Sequence, residues 1–137
     1  MVYAGFELKF FEEEIIMAVQ NYSTITRQDL EQRLRMAMPD NQDAEQGYAL
    51  VNVLKPEAFQ REHIPGSDNI PEGNEATFEQ RFSKDKEIIV YCASTDCHAS
   101  DSVAEELGKR GFTHVYDYAA GLRDWKQGGN PVETGVH

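Results

Sequence analysis

A chain of 137 residues is the size of one domain built round one core. Its 24 acidic against 13 basic residues give a net charge of -11 and no basic patch. That balance argues against nucleic acid and anionic membrane surfaces as partners, and no apolar run approaches the roughly 20 residues of a membrane span.

In chain order, residues 1–23 read as an accessory segment. Phe6, Phe10 and Ile15, with Phe11 and Ala18, fall near helical spacing, while Glu7, Lys9, Glu12 and Glu14 can face water. The segment lacks the basic flank of a signal peptide, so a cytoplasmic setting is expected. As a helix it would pack on the domain or on a second copy of the chain, which leaves a homodimer open.

Residues 24–137 read as the domain proper. Thr26-Arg27-Gln28-Asp29 has the form of a capping box, after which Leu30, Leu34 and Met38 line one helical face and Pro39 ends it. Tyr48 to Val53 is a short, largely apolar strand of the kind buried on both faces of a parallel sheet. Pro56 suits the first turn of a short helix carrying Ala58 and Phe59, His63 to Gly66 is a turn, and Phe78 and Phe82 mark a further helical turn. Glu87 to Cys92 is the clearest strand. A helix follows from about Ser100 to Arg110, with Val103, Ala104, Leu107 and Gly108 on one face and Gly111 as its left-handed terminator. His114 to Tyr118 is the next strand and Leu122 to Gln127 the last helix. Strands alternating with helices across short connections imply an α/β fold, a mostly parallel sheet with helices on both faces.

The chain has two cysteines, Cys92 and Cys97, and in a reducing compartment a structural disulfide between them is not expected. Cys92 ends an apolar strand, Ala93 to Ala99 follow, and then a helix begins. Ligand sites in open parallel sheets lie beyond the carboxyl ends of strands. The amino end of the next helix brings unpaired N–H groups and about half a positive charge, which favour a thiolate. A free cysteine titrates near ~8.5, and such surroundings bring it to roughly 3.5–7.5. Cys92 is therefore expected to be a nucleophile. The plainer alternative is a small buried hydrophobe that finishes the strand.

Several segments together resemble the rhodanese family. They are Leu50-Val51-Asn52-Val53, Pro56-Glu57-Ala58-Phe59, His63 to Pro71, Ile88-Ile89-Val90-Tyr91-Cys92, Leu107 to Phe112, Val115-Tyr116 and Gly121 to Trp125, in the family's order and covering about residues 24–132. The resemblance implies a single rhodanese-like domain whose active-site loop, Ala93, Ser94, Thr95, Asp96, Cys97 and His98, cradles Cys92 with backbone amides. It also implies a sulfurtransferase: the Cys92 thiolate takes sulfane sulfur from a donor as a persulfide and hands it to an acceptor. The implied partners are a small sulfur donor and a thiol or protein acceptor, with no cofactor.

The departures from the family pattern bear on the substrate. The loop is about two residues longer than in thiosulfate-active members, carries neither glycine nor arginine, and has Asp96 instead. Only His98 could bring positive charge, so a thiol persulfide or a protein donor is expected over thiosulfate. Asn52 and Leu54 replace an acid and an arginine, Ala120 replaces the first glycine before the last helix, and His98 stands where related phosphatases carry a phosphate-gripping arginine. Cys97 reads either as a resolving thiol or as a packed loop residue. Used with Cys92 it would make a thiol-disulfide enzyme or sensor, and a loop without its chemistry would make a non-catalytic binding or regulatory module. No metal is expected, because the cysteine spacing lacks a second ligand pair. His63, Phe59, Phe112 and Trp125 read as structural.

Overall fold

The computed structural model describes residues 22–36 and 47–135. The helical reading of residues 1–21 and the stop at Pro39 lie outside the described residues. Five strands, β1 (Ser23–Thr24), β2 (Tyr48–Asn52), β3 (Asp68–Asn69), β4 (Glu87–Tyr91) and β5 (Val115–Tyr118), form one sheet in the order β1-β5-β4-β2-β3. Every pairing is parallel, with Val51 opposite Val90 and Val90 opposite Asp117. Among the described residues four helices join successive strands, α1 (Arg27–Met36), α2 (Pro56–Arg61), α3 (Glu75–Arg81) and α4 (Ala99–Lys109), and α5 (Gly121–Gln127) follows β5. The α/β architecture expected from the sequence is the one observed.

The period of two in β4 divides the core. Ile88, Val90 and Cys92 face α3 and α4, where Phe78, Val103, Ala104 and Leu107 cover them. Ile89 and Tyr91 face α1 and α5, packed with Leu30, Leu122 and Trp125. A central parallel strand buried on both faces must be apolar at every position, and Ile88 to Tyr91 are fully buried. The sheet's two outer strands have two residues each, too few to show a periodicity, so β1 and β3 are not legible as strands in the sequence.

Helix ends follow local chemistry. The Thr26 hydroxyl accepts from Asp29 N–H at 3.1 Å while the Asp29 carboxylate accepts from Thr26 N–H at 3.2 Å, a reciprocal capping box. At the far end of α4, Gly111 at φ +101° donates to the Gly108 carbonyl and Phe112 to that of Leu107, both at 3.1 Å. This left-handed terminator turns Phe112 back into the core.

The turn after α2 is pinned to β4. The Tyr91 hydroxyl accepts from Ile64 N–H at 3.0 Å and shares a 2.8 Å hydrogen bond with Ser67 Oγ. His63, as expected, is structural: it stacks on Phe59 with ring centroids 3.8 Å apart, and its backbone pairs with Glu133. Tyr91→Phe leaves the Ile64 amide buried without that acceptor. It should lower unfolding free energy by about 1–3 kcal/mol, read from urea melts.

Candidate active site

Cys92 lies just past the carboxyl end of β4, in the middle of the sheet. Its backbone is held by the first turn of α5: Leu122 N–H donates to the Cys92 carbonyl at 2.9 Å, and Arg123 N–H to that of Ala93 at 2.8 Å. Gly121 makes this approach possible. It sits at φ +73°, and a Cβ there would lie 2.7 Å from both Cys92 O and Ser94 N. Ala120 before it has φ -70°, an ordinary right-handed conformation, so the alanine that departs from the family pattern is unstrained.

The Cys92 side chain points to the opposite face, at the start of α4. Its thiol lies 3.3 Å from the Cys97 carbonyl and 3.5 Å from Ser100 Oγ. Cys92 is 0% exposed, and burial is the main reason its thiol is pushed up to about 11. A hydrogen bond with the Cys97 side chain adds to the rise, and the Ser100 hydroxyl and amide oppose it. The expected depression of the thiol is therefore not what the structure shows. Two loop amides turn inward on the loop itself, Cys97 N–H to Ser94 O at 3.0 Å and Asp96 N–H to Ser94 Oγ at 3.3 Å. Ser100 alone brings a helix amide to the sulfur, and that does not offset desolvation of a whole charge. At pH 7 the resting thiol is therefore held in its protonated form.

The loop residues divide into two groups. Cys97 is half-buried beside Cys92, and both are free thiols. Ala93, Thr95 and Asp96 are exposed and Ser94 half-buried. His98 is 79% exposed and faces Asp101 at 3.4 Å rather than the sulfur. Asn52 and Asn69 form a neutral network instead of an ion pair: Asn52 Oδ1 accepts from Leu54 N–H at 2.9 Å, and Asn69 Nδ2 donates to the carbonyls of Asn52 and Leu54. Among the described residues no group of three His, Cys, Asp or Glu gathers as a metal site, and no helix is long and apolar enough to cross a membrane.

Three residues escaped the sequence reading. Ser100 joins Cys92 from the first turn of α4. Asp117 on β5 is 1% exposed, and its carboxyl is pushed up to about 6, chiefly by burial and also by the charge of Asp101, with the Ser100 hydroxyl opposing as a donor. Its Oδ1 has no hydrogen-bond partner among the described residues. The strand period offered the signal: Asp117 is two positions from the inward-facing Val115 and so shares its side of the sheet. Arg123 is the third. A cleft of about 560 Å³ on the α5 side of the loop is lined by Glu62, Ala93, Ser94, Leu122, Arg123 and Lys126. Lys126 is paired with Glu62 at 2.7 Å, whereas the exposed Arg123 has no ion-pair partner among the described residues. The expectation that His98 is the only base near the loop is thus corrected, because the last helix returns a guanidinium to it.

Two measurements test this description. Between its ordinary value of 3.8 and about 6, Asp117 binds a proton in the folded state that the unfolded chain releases, so stability falls as pH rises through that window. Asp117→Asn should therefore stabilise the protein at pH 7 by roughly 1–3 kcal/mol, with the gain vanishing near pH ~4. Melts across this range decide it, and a loss of stability at pH 7 would mean the charge is compensated. In the second, limited iodoacetamide at pH 7 should label Cys97 at least about 10-fold faster than Cys92, because only Cys97 is reachable without opening the loop. Peptide mass spectrometry reads the order.

The fold agrees with that of known proteins similar to this chain. A family model described as a rhodanese-like domain matches residues 30–128. Thiosulfate sulfurtransferase GlpE of Pseudomonas syringae is 35% identical over 82 residues, covering 60% of this chain and 76% of that protein. The HTH-type transcriptional regulator Rv0324 of Mycobacterium tuberculosis is 34% identical over 90 residues, covering 64% of this chain and 38% of that protein. Among solved structures, the BH2092 protein of Bacillus halodurans superposes with a TM-score of 0.70 at 27% identity, over 90% of this chain and 83% of that one. The chain belongs to the rhodanese-like domain family.

Proposed function

We propose that the protein is a sulfurtransferase-like enzyme carrying sulfane sulfur as a persulfide on Cys92. The observation that carries this reading is the Cys92 thiol at the end of the central strand, held by Ser100 at the start of α4 within a rhodanese-like domain. In the first step the Cys92 sulfur attacks the outer sulfur of a donor R–S–SH. A new S–S bond forms as the donor's breaks, and R–SH leaves with the proton. In the second step an acceptor thiol or protein removes that outer sulfur and returns Cys92 to the thiol. Because Cys92 is fully buried, the loop from Ala93 to His98 must swing open before either step.

The donor is a small thiol persulfide or a protein rather than thiosulfate. Thiosulfate is a dianion, and the loop meets it with Asp96 and no arginine. Arg123 lies in the cleft on the other side of the loop, suited to the distant carboxylate of a donor rather than to its reacting sulfur. A reducing cytoplasm is the setting in which such thiols persist.

Incubation with a thiol persulfide and, separately, with thiosulfate tests the reading. One sulfur should add to the Cys92 peptide, faster from the persulfide, and none in Cys92→Ser. No adduct from any donor with the fold intact would leave a binding module in place of an enzyme.

The nearness of Cys97 favours a second reading, a thiol-disulfide cycle. The Cys97 thiol would attack the inner sulfur of the Cys92 persulfide, giving a Cys92–Cys97 disulfide and releasing hydrogen sulfide. Cys97→Ser should then hold its persulfide and release no sulfide. Unchanged release removes this reading.

A further inference from the structure

We propose that the cleft beside the active-site loop recognises the body of the sulfur donor, with Arg123 taking a carboxylate and Glu62 turning dianions away. The donor class is then the persulfide of a peptide-sized thiol that carries a carboxylate. The inference rests on reading Cys92 as the sulfur-carrying thiol, and it names what that reading leaves open, the molecule that brings the sulfur.

The place of the cleft is the first argument. Ala93 and Ser94, which line it, are the residues that directly follow Cys92. Arg123 comes from the same turn of α5 that seats the cysteine backbone. Its amide donates to the Ala93 carbonyl at 2.8 Å, beside the 2.9 Å bond from Leu122 to Cys92. Two backbone hydrogen bonds thus fix the origin of the Arg123 side chain against the root of the loop, the kind of rigid support a recognition group needs. A molecule anchored by Arg123 lies against the residues that start the cover over the sulfur. When that cover swings out, its free end is the part that meets Cys92.

Size is the second argument. The cleft has a volume of about 560 Å³. That falls within the roughly 300–1,000 Å³ of pockets that take a drug-sized molecule. Leu122 and Ala93 give it apolar wall, and Ser94 adds a hydroxyl. A small inorganic ion would leave both the space and the apolar wall unfilled, whereas a peptide-sized body covers them.

Charge is the third. The chain carries a net charge of -11, yet the charged lining of the cleft is two cations, Arg123 and Lys126, and one carboxylate, Glu62. Lys126 Nζ pairs with Glu62 at 2.7 Å, which leaves the exposed Arg123, without an ion-pair partner among the described residues, as the group that meets an anion. A planar guanidinium matches a carboxylate through two parallel hydrogen bonds. A second negative charge on the ligand would find Lys126 already held and Glu62 repelling it. The cleft therefore favours an organic molecule of single net negative charge over a dianion such as thiosulfate or phosphate. Arg123 sets specificity through the body of the donor and leaves the reacting sulfur to the loop.

Binding and loading are measured separately on the full chain. S-methylglutathione has the carboxylates and size of such a donor but no sulfur to give, and its affinity is read by calorimetry. Arg123→Gln should weaken it roughly 10-fold, the lower range for losing a charge-assisted hydrogen bond at a site open to solvent. Arg123→Lys should recover part of the loss, because the charge stays while the two-bond match goes. Glu62→Gln should tighten binding by roughly two- to fivefold, a gain that damage to the fold does not produce. In sulfur loading, counted on the Cys92 peptide, glutathione persulfide is compared with the persulfide of its diethyl ester. The ratio of their kcat/KM values should fall roughly 10-fold in Arg123→Gln, with the loss of the acid form in KM rather than kcat. Equal affinity of the wild-type and Arg123→Gln proteins for S-methylglutathione overturns the proposal, as does inorganic phosphate binding as tightly. Loading that does not distinguish acid from ester refutes recognition by the cleft while leaving sulfur transfer standing. Binding that depends on Arg123, with no loading from any donor, upholds recognition and refutes sulfur transfer.

Discussion

The seat of the Cys92–Ala93 backbone on the first turn of α5 organises everything around it. Two amides of that turn take the two carbonyls, and Gly121 lets the backbones approach to a distance that any Cβ would forbid. With the carbonyl side held, the side chain has one direction left, into the layer beneath α4. The sulfur's neighbours are then Ser100 at the start of α4 and Cys97 in the loop before it. The cleft with Arg123 falls on the other side of the same backbone. One close contact thus separates a surface suited to recognising a charged molecule from a dry interior that holds the thiol.

That interior carries a conflict between stability and chemistry. Desolvation keeps Cys92 protonated and raises the carboxyl of Asp117. A core designed only to fold would place an apolar side chain at residue 117, as it does at Val115 and from Ile88 to Tyr91. Proteins keep buried ionisable groups of this kind where a reaction needs them, and the perturbation marks the place. The resting thiol is protonated and out of reach until the loop opens.

Much of this architecture was legible in the residues. Largely apolar strands at Tyr48 to Val53 and Glu87 to Cys92, the capping pair Thr26 and Asp29, and Gly111 before Phe112 each encode their element through short-range physics. The family pattern supplied the rest of the topology. Two-residue edge strands stayed hidden, because Ser23–Thr24 and Asp68–Asn69 are strands only through the partners they meet. At the site, the sequence marked Cys92 and Cys97 but misjudged their environment. A helix amino end argues for a thiolate only if enough amides turn to a solvated sulfur; here the loop amides of Asp96 and Cys97 bond to Ser94 instead, and the sulfur is buried. Arg123 could be linked to the loop only once α5 was known to dock there. Asp117 was visible as a lone acid in an apolar strand and needed only the alternation of side chains to be placed inside.

The sealed position of the sulfur has a kinetic meaning of its own. A reagent meets Cys92 only during the fraction of time in which the loop is displaced, so the observed rate is the intrinsic rate multiplied by that fraction. At high reagent concentration the loop's opening frequency becomes the ceiling, and different donors converge on one maximal rate whatever their own reactivity. The loop's length and internal bonding, as much as the thiol's acidity, would then set how fast this protein can turn over.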